Sequence, residues 1–125
     1  MGLWGTILLV VCVMSVTMIG FGLYFSLAGP KKINYVFGYR TPMSMKNLDT
    51  WRFGNVYAGR YMWRTGVILL VGSLAALFAV MTSGDTVIRT VGIIIIIVHA
   101  VMIFGTVILT EIALHRRFDR QGNPK

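Results

Sequence analysis

Between positions 39 and 60 the sequence gathers hydrogen-bond donors, ring faces and cations: Tyr39, Arg40, Thr41, Asn47, Trp51, Arg52, Asn55 and Arg60, with Tyr35 and Phe37 just ahead of them. A guanidinium is a planar fork that matches a carboxylate or a phosphate with two parallel hydrogen bonds. Arg40 and Arg52 are therefore candidates for holding an anionic lipid headgroup or the carboxylate of a partner. A plainer reading stands beside this one, because cations and rings at a membrane boundary also serve as an anchor. Asn55 differs from the rest. It falls on an apolar stripe, where an amide is costly unless paired, and this points to pinning the loop rather than touching a ligand. His99 is the other candidate, since an ionisable residue inside an apolar stretch is a functional candidate by default. No acidic side chain shares the apolar stretches with it, so a proton relay lacks its second member. The competing reading is an imidazole sharing a hydrogen bond with a hydroxyl or carbonyl of another span. Glu111, just beyond that stretch, is placed to pair with a loop arginine.

Other chemistry finds little material. One cysteine and two distant histidines, His99 and His115, cannot fill a zinc site. There is no phosphate-cradling Gly-x-x-x-x-Gly-Lys loop and no pair of catalytic carboxylates. Neither an enzyme nor a bound metal or cofactor is expected.

The elements that must position these residues are apolar. The chain has 125 residues, 56% of them hydrophobic, with 12 Lys+Arg against 4 Asp+Glu. A soluble nucleic-acid binder spreads such charge over an exposed face. Here it is confined to loops, so no nucleic-acid partner is expected. Three stretches, at 3–28, 65–83 and 90–110, carry no charge beyond the histidine, and each is close to or above the ~20 helical residues that cross a bilayer. The expected fold is an all-α membrane protein, one domain over 1–125, with three transmembrane helices plus an amphipathic cytoplasmic helix in the basic loop at 30–64. The first charged residue is Lys31, so the opening helix lacks the positive start of a cleaved signal and reads as a span.

Within the loop, Ala28-Gly29-Pro30 should end the first helix, glycine as cap and proline as stop. Ser44 is a plausible N-cap, with Asn47 at the third helical position. From there Leu48, Trp51, Ala58, Gly59 and Met62 form a narrow apolar stripe opposite Lys46, Asp49, Arg60 and Arg64, the pattern of a helix lying in the interface. A break near Gly59 would let it turn into the second span. Small or polar residues recur at seven-residue spacing: Ser15 and Gly22, then Gly66 and Ser73, then Gly92, His99 and Thr106. Such stripes let helix backbones approach in lipid, facing one another or a second subunit in a homo-oligomer.

Charge counting sets the orientation. Seven Lys+Arg lie in 30–64 and four after Thr110, against one, Arg89, in the turn at 83–89. The positive-inside rule places the loop and the C-terminal tail in the cytoplasm and the N-terminus outside.

Asn34, Phe37-Gly38-Tyr39-Arg40-Thr41-Pro42, Ser44-Met45, Asn47, Trp51, Asn55 and Ala58-Gly59 together resemble the SdpI family of bacterial membrane proteins. Met43 and Gly54 depart mildly from that pattern. The resemblance implies a three-span domain in the cell membrane. It also implies a role in immunity or envelope defence against a membrane-active toxin, with a peptide toxin as ligand and a cytoplasmic repressor as a signalling partner. The alternative is a small oligomeric transporter or channel subunit, although small multidrug exporters look like four-span proteins with a glutamate in the first span, and this first span has no acid.

Overall fold

A computed structural model of the chain describes residues 2–28, 32–33 and 38–125. The expected cap at Gly29-Pro30 and the loop residues Lys31, Asn34, Tyr35 and Phe37 lie outside the described residues. Three long helices, α1 (Leu3–Leu23), α2 (Leu48–Ala79) and α3 (Asp85–Arg117), run in sequence, and α1 is prolonged by a π-helical turn at Tyr24–Ala28. All three are long and apolar enough to cross a membrane. Their outward faces carry the side chains lipid accepts, among them Ile68, Val71, Ile94, Val101 and Phe104, all exposed.

The small-residue stripes are spent inside this bundle. Ser15, Gly22, Gly66, Ser73, Gly92, His99 and Thr106 are all buried. α1 and α2 approach most closely where Gly22 faces Gly59: a methyl added to Gly22 would sit 2.7 Å from the Gly59 carbonyl oxygen, and one on Gly59 2.8 Å from that of Gly22. No side chain fits there, so Gly59 serves close packing and does not break the helix. At the opposite end the Trp4 indole donates to the Leu77 carbonyl at 2.7 Å, beside an apolar core of Val11, Leu77 and Ile95.

The loop departs from expectation at two points. Residues 48–64 form no separate interfacial helix; they are the first half of α2, which continues unbroken to Ala79. The N-cap is Asn47, not Ser44. Its side-chain oxygen accepts from the Thr50 amide at 2.9 Å while the Thr50 hydroxyl accepts from the Asn47 amide at 3.1 Å, a reciprocal capping box. Ser44 shapes the preceding turn, its hydroxyl accepting from the Thr41 amide. At about 1.5 Å per residue, α2 and α3 measure about 48 Å and 50 Å, against about 30 Å of hydrocarbon. The surplus falls on the polar start of α2, from Leu48, and the polar end of α3, from Glu111 to Arg117, which pack together as a stem. On it sits a second core of Met43, Leu114 and Phe118 with Tyr39 and Phe53.

Candidate functional site

The stem fixes the loop by polar contacts that begin at Gly38. This glycine has φ +106°, and a methyl on it would lie 2.6 Å from the Asn55 side-chain oxygen and 3.2 Å from the Trp51 ring. Only glycine passes so close in that left-handed conformation. The next residue is then held by its backbone: the Tyr39 amide donates to Asn55 Oδ1 at 2.7 Å, and Asn55 Nδ2 donates to the Trp51 carbonyl at 2.9 Å and to the Tyr39 carbonyl at 3.3 Å. The buried Asn55 amide is thereby spent on pinning the loop.

So placed, the Tyr39 side chain reaches α3. Its hydroxyl donates to Glu111 Oε1 at 2.7 Å and lies 3.1 Å from the Val107 carbonyl. The Thr41 hydroxyl donates to the same carboxylate oxygen. The other oxygen faces His115 Nε2 at 3.5 Å, one helical turn on. Partial burial pushes the Tyr39 phenol well above its usual value, and the accepting bond and negative charge of Glu111 push it further; the Thr41 hydrogen bond opposes them weakly. Tyr39 is thus a fixed donor to a carboxylate. Glu111 was expected to take an arginine; two hydroxyls hold it here, because the Asn55 pin sets Tyr39 and Thr41 on that side of the loop.

The remaining candidates separate. Trp51 is fully buried beneath Gly38, with no partner for its indole N–H among the described residues. Asn47 faces the C-terminal tail: besides capping α2 it donates from Nδ2 to the Gly122 carbonyl at 2.7 Å. Arg40 is exposed between Tyr39 and Thr41, and Arg52 and Arg60 are exposed on α2. His99 sits apart, buried between the spans, with Nε2 2.8 Å from the Ser15 hydroxyl and Nδ1 2.8 Å from the Ile95 carbonyl. A carbonyl only accepts, so in the neutral ring Nδ1 carries the proton and Ser15 donates to Nε2. Among the described residues no three His, Cys, Asp or Glu side chains gather as metal ligands.

Directly against the pinned loop, a side-opening cleft of about 280 Å³ lies between the π-helical end of α1, α2 and α3. Phe21, Phe25, Ala58, Met62, Ile103 and Val107 line it, and Tyr39 and Asn55 form its polar edge. A π-turn widens the helix locally and often marks a working site. Here it sets Phe25 beside Tyr24 and near Gly59. Such a cleft suits an apolar group entering from the membrane with one polar end.

Comparison with known proteins agrees with the loop motif. No curated protein and no solved structure matches the chain. The family model described as the SdpI/YfhL protein family matches residues 31–110, which takes in the pinned loop, α2 and most of α3. With more than half of its length covered by that model, the chain belongs to the SdpI/YfhL protein family.

Proposed function

We propose that this chain is a membrane immunity or envelope-defence protein that engages a membrane-active toxin at the inner boundary of the bilayer. One observation carries the reading: Tyr39 and Asn55, which knit the loop to α2 and α3, are also the polar edge of the apolar cleft between the spans. A peptide side chain or acyl group seated there presses on the Tyr39–Glu111 link, and a change in the link reaches the cytoplasmic stem. That is the route by which a bound toxin would alter what a cytoplasmic repressor meets. The orientation follows from charge, with the N-terminus outside and the stem inside. Family membership supports the reading, since immunity is the role the family is named for.

The test is survival of cells challenged with membrane-active peptide toxins, with and without the gene. Val107 lines the cleft and is exposed, so Val107→Trp fills the space without disturbing a buried side chain. We expect the wild type to protect and the filled variant, at equal abundance, to fail. Full protection by Val107→Trp removes the cleft from the account. Solute flux through vesicles holding the purified protein, without any protection of cells, would favour the transporter or channel reading instead.

A further inference from the structure

On the α2–α3 face of the stem two grooves meet. One, of about 1050 Å³, runs between Leu109, Ile112 and Ala113 on α3 and ends among Arg116, Arg117 and Lys125. The other, of about 400 Å³, is walled by Arg52, Val56, Arg60 and Arg117. Phe53, Tyr57 and Arg117 belong to both. The larger groove is graded, aliphatic at Leu109 and Ile112, aromatic in the middle and cationic at Arg116 and Arg117, and the smaller one adds Arg52 and Arg60 on either side of the rings. Phe53 and Tyr57 stack with centroids 5.9 Å apart, and the Arg117 guanidinium lies 5.3 Å above the Phe53 ring, held by cation–π attraction.

The charge there is not neutralised from within. Asp49 is the one acid lining either groove. Among the described residues the one carboxylate within salt-bridge distance of a basic group is Glu111, which faces His115, so Arg52, Arg60, Arg116 and Arg117 form no salt bridge to a carboxylate. Cations gathered beside an apolar surface at the membrane boundary match a phosphate carried on acyl chains, with guanidinium forks suited to its oxygens.

We propose that this groove binds an anionic phospholipid of the adjoining leaflet, its chains along Leu109 and Ile112 and its phosphate among Arg52, Arg60 and Arg117. The site lies on another face from the toxin cleft, although Tyr39 and Glu111 of that site sit close by on the same stem, and it does not depend on the immunity reading.

The experiment is binding and thermal stabilisation of the purified full chain in neutral detergent. Short-chain phosphatidylglycerol is the probe, with phosphatidylcholine of the same chain length and inorganic phosphate as separate arms. Phosphatidylglycerol should bind and raise the melting temperature, and phosphatidylcholine and phosphate should do neither. The pair Arg52→Gln with Arg60→Gln alters exposed side chains only and should weaken binding about 30-fold, roughly fivefold per cation removed near an anionic headgroup. Unchanged affinity in that variant overturns the proposal, as does equal binding of phosphatidylcholine. Binding of inorganic phosphate as tight as that of the lipid also overturns it, since the site would then be an anion site without lipid.

Discussion

The Tyr39 hydroxyl donates to the Glu111 carboxylate at 2.7 Å across 72 positions of sequence, tying the basic loop to the far end of the third helix. Thr41 joins the same oxygen. Loop and stem therefore move together.

Tyr39→Phe removes one donor from a partly exposed carboxylate and should cost about 1.5 kcal/mol, the lower end of the range for a hydrogen bond to a charged group. The link also carries a pH signature. Its folded-state pKa is raised above the ordinary value of about 10, so its stabilisation is complete below pH about 10 and is lost as pH rises from there towards the folded pKa. Melting curves in detergent should fall more steeply above pH about 10 for wild type than for Tyr39→Phe. Parallel curves would count against the link.

Asn47→Ala takes away the α2 cap and the tether to Gly122 together. Loss of a cap of this kind costs about 1 kcal/mol. The tail should also become more susceptible to trypsin at the exposed Arg120. Faster cleavage with unchanged helix content, followed by mass spectrometry and circular dichroism, is the expected result; equal cleavage would mean the tether holds nothing.

At His99, glutamine keeps a polar group facing Ser15 and leucine does not. Interhelical hydrogen bonds in membranes average about 0.6 kcal/mol, so His99→Leu should fold with a slightly lower melting temperature and His99→Gln should retain function. A stable but inactive His99→Gln protein, with wild-type activity that depends on pH, would point to a proton relay.

Topology is tested by single thiols in a Cys12→Ala background. A cysteine at position 85 should react with an impermeant reagent added to whole cells, and cysteines at 46 and 121 should not. The reverse pattern overturns the orientation.

The spans were legible in sequence because lipid demands long charge-free helices, and the Ser15, Gly66 and Gly92 stripes because close packing demands small side chains. Asn55 was legible as a pin for the same kind of reason: an amide on an apolar stripe must find partners. The loop was harder. A helical wheel drawn from 44 to 64 cannot tell a helix lying on the membrane from the stem of one crossing it, since both need one apolar side; here Gly38 of the loop covers Trp51, and Gly22 and Phe25 of the first helix cover Gly59. Ser44 and Asn47 are both good caps by type, and the choice depended on Thr50 completing the box. Glu111 could be marked as the nearest acid to the loop, but its hydroxyl partners follow from the left-handed backbone at Gly38, which no charge pattern shows.

The distance in sequence between the two ends of the loop's anchorage sets an order of events. Tyr39 and Thr41 leave the ribosome early, whereas Glu111 and Gly122 are made some 70 residues later. At about 5–20 residues per second, the loop waits several seconds for its acceptors while two further helices are threaded into the bilayer. Its hydroxyls and capping amide can be satisfied natively only after α3 has crossed in the right direction. A chain whose third helix inserted wrongly would keep the loop pinned to α2 through Asn55 but leave the Tyr39 and Thr41 hydroxyls and the Asn47 amide without their acceptors, a mark by which quality-control proteases could tell it from one correctly assembled.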